Sequence, residues 1–322
     1  MNYEIDGYQN ENEFVRSLNR KKFSSLLPNF QDLLLNLYGN LDNDNVVYCR
    51  KDYEKKKFDI EIIVNGIIKR ISIKKGINNS VHAEGISSFI HFLIDSNVSR
   101  EAVIEYLRYH YADGTQNGRG INRISGHEYK EQNQDKIDYI NEQINNPYVL
   151  RRAINRFVLQ GKNSAIKVDG IIYGTVNDFL FISSDDVMNI LMSKQDIYST
   201  GVHFGNLFCQ PMTRNLNYNP KYEKKRFCVQ IKWYSIFDDI MEIKNKNILK
   251  EEIREDNTEN KEKSSITNSR NISNTTDKPI FEILGIKLFL DDLIIIGVMY
   301  FLYQQHVHDE MLYLILFMLL FS

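Results

Sequence analysis

The chain has 322 residues, 43% of them hydrophobic, so it is long enough for one large or two ordinary domains with buried cores. Its net charge of −2 argues against nucleic-acid binding driven by bulk charge. Three cysteines, Cys49, Cys209 and Cys228, are odd in number and not spaced as metal-binding pairs, which argues against a disulfide framework or a zinc site. The same cysteine usage predicts a cytoplasmic location, and the polar stretch MNYEIDGYQNENEF predicts no secretory signal.

The first part of the chain predicts helices followed by a strand. Residues 11 to 40 carry apolar side chains at helical spacing on both sides of Pro28, and Gly39 ends the segment. Turn-forming residues at positions 43 to 45 then lead into a strand with the sequence VVYCRK. We therefore expect a helical entry into a β-sheet.

A β-hairpin is predicted next, around Asn65 and Gly66. Both residues tolerate the positive φ angles of a two-residue turn, which makes this pair the strongest short hairpin signal. A turn there fixes the pairing of the two strands on either side of it. The expected cross-strand pairs are Asp59 with Ser72, Ile60 with Ile71, Glu61 with Arg70, and Val64 with Ile67.

The two faces of this hairpin differ in chemistry, because side chains alternate along a strand. One face is interrupted by Lys69 and is otherwise apolar, with Ile60, Ile62, Val64, Ile67, Ile71 and Ile73. The other face carries the polar side chains Asp59, Glu61, Arg70, Ser72 and Lys74. Lys74 lies diagonal to Asp59, a separation of about 7–8 Å that a long side chain covers. A carboxylate and an ammonium therefore converge on one patch.

A helix is predicted after Gly76. Asn79 or Ser80 can cap it, and apolar side chains repeat at helical spacing from Ile86 to Leu93. Glu84 would lie in its first turns, near the positive end of the helix dipole and close to the hairpin. The sequence thus gathers an Asp, a Lys and a second carboxylate from two strands and a helix start.

These residues resemble the PD-(D/E)xK restriction-endonuclease-like superfamily. In that superfamily an acid on one strand and an acid-x-Lys triplet on the next strand bind magnesium and activate water. Here the triplet is Ser72-Ile73-Lys74, with Ser at the position of the second acid. Some restriction enzymes of the superfamily share that departure and carry the missing acid on the following helix, where Glu84 is expected. Helix, strand, hairpin, helix is also the order in which the superfamily builds its core.

The resemblance implies a magnesium site and a catalytic set made of Asp59, Lys74 and Glu84. Asp59 and Glu84 would hold the metal, with Glu61 as an extra ligand, because magnesium prefers oxygen ligands. The metal would generate hydroxide and stabilise charge on the phosphate, while Lys74 would orient the nucleophile or offset developing charge. A plainer interpretation stays open, in which the charged residues of this face are solvated cross-strand pairs.

The middle of the chain alternates predicted helices and strands. Residues 97 to 111 form a helix capped at Ser99, residues 131 to 160 are helical again, and the runs IIYG and FLFIS indicate strands before a short helix around DDVMNILM. Between the first two helices, a Gly- and Asn-rich loop carries Arg119 and Arg123. Arginines on such a loop suit phosphate or groove-edge contacts, and an ordinary surface loop is the alternative.

A second candidate contact with nucleic acid lies from Val202 onward, where two strands are joined by the loop NLNYNP. Basic side chains cluster there with tyrosines, a mixture typical of an arm that grips nucleic acid, although lysines also keep hairpin tips soluble. With the lysine after the hairpin and the loop arginines, the candidate nucleic-acid-binding residues are Lys75, Arg119, Arg123, Arg214, Lys224, Lys225 and Arg226.

The composition changes towards the C-terminus. From Lys246 onward there are 8 basic and 12 acidic residues, so the body before it carries a net charge of +2. Residues 246 to 280 contain few large apolar groups and predict a disordered linker. Residues 281 to 322 contain two apolar runs, the first about as long as a membrane span but interrupted by Lys287, Asp291 and Asp292. We expect a hydrophobic helical hairpin that self-associates or lies at a membrane, or else one anchoring span; the tail resembles those of spore-associated proteins.

Taken together, the sequence predicts an α/β protein in which residues 1 to 245 form a restriction-endonuclease-like mixed sheet flanked by helices. The predicted function is magnesium-dependent hydrolysis of DNA, a type II restriction enzyme being one form, with DNA and a second copy of the chain as partners. Two alternatives stay open. One is a nuclease-like module that binds nucleic acid or a protein without catalysis and is targeted by its tail to a membrane or spore layer. The other is a membrane-linked structural protein.

Overall fold

The structure is a computed structural model that describes residues 7–54, 56–76, 79–162, 165–194, 201–212 and 220–246, together with the backbone of 281–283 and 286–288. The chain divides into two compact units, Met1–Glu251 and Glu252–Ser322. The first unit is a mixed α/β body with two sheets and surrounding helices, as the sequence predicts at this coarse level.

A six-stranded mixed sheet lies in the first unit. Its strands are β1 (Lys21–Lys22), β2 (Val46–Lys51), β3 (Ile60–Val64), β4 (Ile67–Lys74), β6 (Gly170–Thr175) and β7 (Asp178–Ser183). They follow the order β1-β2-β3-β4-β6-β7. Neighbouring strands are antiparallel except β4 and β6, which are parallel because helices and a further strand connect them.

A smaller antiparallel sheet contains β5 (Ser80–Gly85), β8 (His203–Phe204), β9 (Leu207–Pro211) and β10 (Cys228–Trp233), in the order β5-β10-β9-β8. The prediction that Asn79 or Ser80 caps a helix is therefore wrong. Residues 80–85 bond instead to β10, and the following helix begins at Ile86 with Gly85 before it. Pairing with a strand far along the chain overrides the local helical pattern.

The helices of the first unit surround these sheets. They are α1 (Gly7–Leu18), α2 (Pro28–Tyr38), α3 (Ile86–Asp95), α4 (Arg100–Tyr111), α5 (Gly126–Ile144), α6 (Pro147–Ala153), α7 (Ser184–Ser193) and α8 (236–246). A π-helical segment, Ile154–Gln160, continues α6, and a 3-10 segment, Pro220–Phe227, precedes β10. Two predicted helix ends are confirmed: Gly39, with φ of 75°, ends α2, and the Ser99 side chain accepts a hydrogen bond from the Ala102 amide at the start of α4.

Two apolar cores lie on opposite faces of the six-stranded sheet. The smaller core joins α1 and α2 to the predicted apolar face of the β3–β4 hairpin, with Phe14, Leu33, Ile60, Ile62, Val64, Ile71 and Ile73. Ile67, at the hairpin tip, is instead 56% exposed. The larger core joins the later helices to the smaller sheet and includes Ile171, the partner of Ser72. The polar face of the hairpin is therefore directed towards the larger core.

The second unit is described only at two short strands. Phe281–Ile283 pairs antiparallel with Ile286–Leu288. The prediction of a helical tail is wrong for these six residues, since their β-branched isoleucines suit a paired strand. The rest of the tail, and the predicted linker after Lys246, lie outside the described residues. No helix of the described part is long and apolar enough to cross a membrane.

Candidate active site

The β3–β4 hairpin fixes Asp59 against the Ser72-Ile73-Lys74 triplet. Asn65 and Gly66 have φ of 51° and 80°, and the predicted register is confirmed, with Glu61 opposite Arg70. Asp59 immediately precedes β3, where its Oδ2 accepts hydrogen bonds from Ser72 Oγ at 3.2 Å and from the Ile73 amide at 2.5 Å. Ser72 is fully buried. The acid and the triplet on the next strand thus form one rigid element.

Lys57 is a member of this site that the sequence reasoning missed. Its Nζ donates hydrogen bonds to the carbonyl oxygens of Val81, at 2.6 Å, and Phe157, at 2.5 Å. Burial lowers the pKa of Lys57 well below its ordinary value, the nearby positive charge of Lys74 lowers it further, and Asp59 opposes both. Lys57 lies two residues before Asp59, so alternation in an extended segment could have placed both side chains on one face. The run of lysines around it is instead typical of a solvated loop.

Glu84 reaches the larger core from a strand, and its predicted position in the first turn of a helix is wrong. It lies in β5, opposite Val229. Its side chain is 3% exposed and forms an ion pair with Arg156, with Oε2 to Nη2 at 2.8 Å and Oε1 to Nε at 3.3 Å. Ser88 Oγ donates a further hydrogen bond to Oε2 at 2.9 Å. Both carboxylate oxygens therefore already have protein partners.

His82 and Glu84 influence each other's protonation. Burial tends to raise the pKa of Glu84, but interactions with His82, Arg156 and Ser88 outweigh it and hold the pKa below its ordinary value. His82 Nε2 lies 3.7 Å from Glu84 Oε2, which is too long for a hydrogen bond, so we regard the attraction as electrostatic and Arg156 as the main partner. Burial lowers the pKa of His82, and the charge of Lys57 adds to that effect.

Lys57 joins the segment that carries Asp59 to β5, the strand that carries Glu84. The charges of Asp59 and Lys74 affect the pKa of Lys57. The charge of Lys57 in turn lowers the pKa of His82, which lies two residues before Glu84. The bond of Lys57 to the Val81 carbonyl also ties the residue next to His82 to the segment that carries Asp59. Among the described contacts, none joins Glu84 directly to Asp59 or Lys74; Lys57 lies between their segments, and Arg156 is a second group that the sequence did not assign to the site.

Glu61, predicted as an extra metal ligand, lies between two arginines. Its Oε2 is 2.6 Å from Arg50 Nη2, and its Oε1 is 3.1 Å from Arg70 Nε. The sequence predicted the Arg70 pair from the hairpin register, but Arg50 comes from β2, whose register could not be read locally. Both oxygens of Glu61 are thus occupied by ion pairs.

The carboxylates fit a magnesium ion only in part. No group of three or more His, Cys, Asp or Glu side chains within the described ranges is arranged to hold a metal. Asp59 is the best suited donor, because its two hydrogen bonds use Oδ2 and no described residue donates to its other oxygen. A single carboxylate, completed by waters and phosphate oxygens, is the smallest set with which proteins bind magnesium. Glu84 would join such a set only after leaving Arg156.

Two of the predicted nucleic-acid-binding arginines are directed into the protein. Arg123 donates to the carbonyl oxygens of Tyr111, at 2.7 Å, and His110, at 2.8 Å. Arg226 pairs with buried Asp113 at 2.5 Å and donates to the Gly120 carbonyl at 2.8 Å. These arginines fasten the Gly-rich loop to its surroundings, so their predicted contact with nucleic acid would require breaking these bonds. The sequence alone does not show that these two arginines form internal hydrogen bonds.

The other predicted nucleic-acid-binding residues differ in exposure. Arg119, Lys224 and Lys225 are exposed, and Lys75 is half-buried beside the triplet. Arg214 lies outside the described residues. The exposed set does not border the Asp59 site through any described contact, so its role stays a prediction.

The chain was also compared with known proteins. No model of a protein family matches the sequence, and no curated protein matches it.

Proposed function

We propose that the protein is a magnesium-dependent DNA endonuclease with a restriction-endonuclease-like body. The observation that carries the proposal is the bonding of Asp59 to the triplet of the adjacent strand, an arrangement expected of that superfamily. The order α2, β2, hairpin β3–β4 is also the expected one. The inserted strand β5 before α3 departs from it and moves the second acid, Glu84, from a helix to a strand.

Each residue has a role in the proposal. Magnesium, when bound, supplies hydroxide at neutral pH and stabilises negative charge on the phosphate. Asp59 would hold it through the oxygen that Ser72 and Ile73 leave open. Lys74, half-buried at the end of β4, places an ammonium where it orients the nucleophile or offsets charge on the phosphate.

Glu84 has a conditional role. Its two oxygens are used by Arg156 and Ser88, so it becomes a second ligand only when the Arg156 guanidinium turns to a phosphate group of the substrate. Arginine suits such an exchange because its planar fork binds carboxylates and phosphates with similar geometry. Glu61 is left out of the proposed ligand set, since arginines hold both of its oxygens.

Cleavage of supercoiled plasmid by the full chain in Mg²⁺ tests the proposal. We expect nicked or linear product that EDTA abolishes and that Lys74→Ala reduces by about 10²-fold or more, the loss typical of a missing group that stabilises transition-state charge. Lys69→Ala is the matched control, because Lys69 lies on the same strand but on the opposite face. Equal cutting by wild type and Lys74→Ala, or no cutting at all, would contradict the proposal.

The second candidate is a nuclease-like module that binds nucleic acid without cutting it. The observation in its favour is the ion pairing of Glu84 and Glu61, which leaves Asp59 as the only predicted ligand with an oxygen open among the described contacts. DNA binding without magnesium-dependent cleavage would support this candidate. Failure to bind DNA even at low salt, where phosphate contacts are strongest, would favour the structural protein.

A further inference from the structure

An open cavity lies beside Arg156, on the side of α3. It encloses about 420 Å³ and is formed by α3 along its length together with the π-helical segment and the residues just after it. Among the side chains that line it are Ser87, Ser88, His91, Asp95, Arg156 and Lys162. Ser88 and Arg156 are also the partners of Glu84, so the cavity adjoins that carboxylate, the conditional ligand of the proposed site.

The cavity is richer in positive than in negative groups. Arg156 and Lys162 contribute full positive charges and His91 a titratable one, whereas Asp95 is the one carboxylate of the lining. Lys162 and His91 are exposed, and neither forms an ion pair within the part of the chain that the structure describes. The charge of Arg156 is balanced by Glu84, which leaves Lys162 as the remaining full positive charge of the lining and Asp95 as its negative one.

Hydrogen-bond donors are also directed to this region. Arg156 uses Nε and Nη2 on Glu84 and Ser88, and no described residue accepts from its Nη1. The Ser87 hydroxyl is exposed. Gly85, before α3, offers no side chain to cap that helix, so the positive end of α3 adds to the potential of the two cations. This combination of a guanidinium, an ammonium and hydroxyls is suited to a phosphate group.

We propose that this cavity binds a backbone phosphate of duplex DNA. The inference deepens the proposed function and rests on it for the choice of DNA as the source of the phosphate. Lys162 is its main determinant, with His91 and Arg156 as further donors. Lys162 and His91 were not among the predicted nucleic-acid-binding residues, because only the fold gathers Arg156 and Lys162 against α3.

Salt-dependent binding of a short fluorescent duplex to the full chain, measured by anisotropy in EDTA, tests the proposal without any cleavage. Lys162→Gln should weaken binding several-fold, whatever the duplex sequence, and reduce the slope of log K against log salt by about 1, as loss of one phosphate contact predicts. His91→Gln should weaken binding by a smaller factor. Lys21→Gln is the matched control, because Lys21 is an exposed lysine on β1, a strand of the six-stranded sheet, and does not line the cavity.

Three results would overturn this inference: wild-type affinity and slope in Lys162→Gln, an equal loss in Lys21→Gln, or no binding of the duplex by the wild type at low salt. The outcome is separable from that of the plasmid experiment. A reduced slope in Lys162→Gln with no cleavage by the wild type would keep the phosphate site while rejecting the nuclease. Cleavage that depends on Lys74, with an unchanged slope in Lys162→Gln, would support the nuclease and reject the phosphate site.

Discussion

The hairpin β3–β4 and the strand β5 that follows it place the two acids of the candidate site in different ways. Asp59 is fixed by Ser72 and Ile73, 13 and 14 residues along the chain, across a turn that Asn65 and Gly66 determine. Glu84 is fixed by Arg156, 72 residues away, and by pairing of its strand with β10 near residue 229. One half of the site is thus encoded locally, and the other exists only once the whole body has folded.

The largest effect on the free energy of unfolding is expected when the ion pair between Glu84 and Arg156 is broken. Arg156→Met removes the partner of a carboxylate that is 3% exposed, and an unpaired buried charge costs about 3–5 kcal/mol. We expect urea unfolding of the variant to show a free energy of unfolding lower by that amount. The loss should be greatest at neutral pH, where Glu84, with its lowered pKa, is charged.

The double variant Glu84→Gln with Arg156→Met serves as the control, because it removes both charges. We expect it to recover most of the lost stability, since replacing both members of a buried pair is far less costly than removing one. If the double variant were as unstable as Arg156→Met, the cost would come from lost packing of the guanidinium on Phe92, 5.4 Å from its ring centre, and not from the buried carboxylate.

A smaller effect on the free energy of unfolding is expected when the turn of the β3–β4 hairpin is strained. Gly66→Ala forces a side chain onto a residue with φ of 80°, and the strain should lower the free energy of unfolding by about 1–2 kcal/mol. An added methyl at this position meets no atom within 4 Å, so the loss would be due to the backbone alone. Gly7→Ala adds a methyl in equally open space at the start of α1 and should cause no loss. Equal effects of the two changes would contradict a turn that depends on positive φ.

The distance along the chain between interacting residues decides which parts of the fold the sequence predicts. Turn chemistry, helix caps and side-chain alternation act within about ten residues, so the hairpin register, the end of α2 at Gly39 and the cap at Ser99 follow from the sequence. The strand 80–85 does not, because its partner β10 lies far along the chain and its own pattern resembles a helix start. The parallel pairing of β4 with β6 is hidden for the same reason.

The residues of the candidate site also differ in whether their partners lie nearby or far along the chain. Asp59, Ser72 and Lys74 come together through the hairpin, so the sequence locates them. Lys57 and Arg156 act through carbonyl groups and a carboxylate contributed by other elements, and a list of charged residues gives no sign of either contact. Arg123 and Arg226 show the converse error, since a basic residue in a loop was interpreted as free for nucleic acid when the fold uses it internally.

The smallest expected effect is a pH dependence at the junction of the two halves, where His82 lies beside Glu84 and within reach of the charge of Lys57. Its pKa is lowered from the ordinary 6.5 by burial, so below that pH the unfolded chain binds a proton that the folded chain does not. Stability should therefore fall as the pH falls below about 6.5, by at most about 1.4 kcal/mol per pH unit from this residue. The pKa of His203 is also lowered by burial and contributes with the same sign, whereas the pKa of Glu84 is lowered from 4.5, so Glu84 titrates at more acidic pH.

Urea unfolding of His82→Gln and His82→Asn between pH 5 and 6.5 tests this prediction. Both variants should show the same reduced slope of stability against pH, though their stabilities differ. A wild-type slope in both would mean that His82 is not held neutral by the fold.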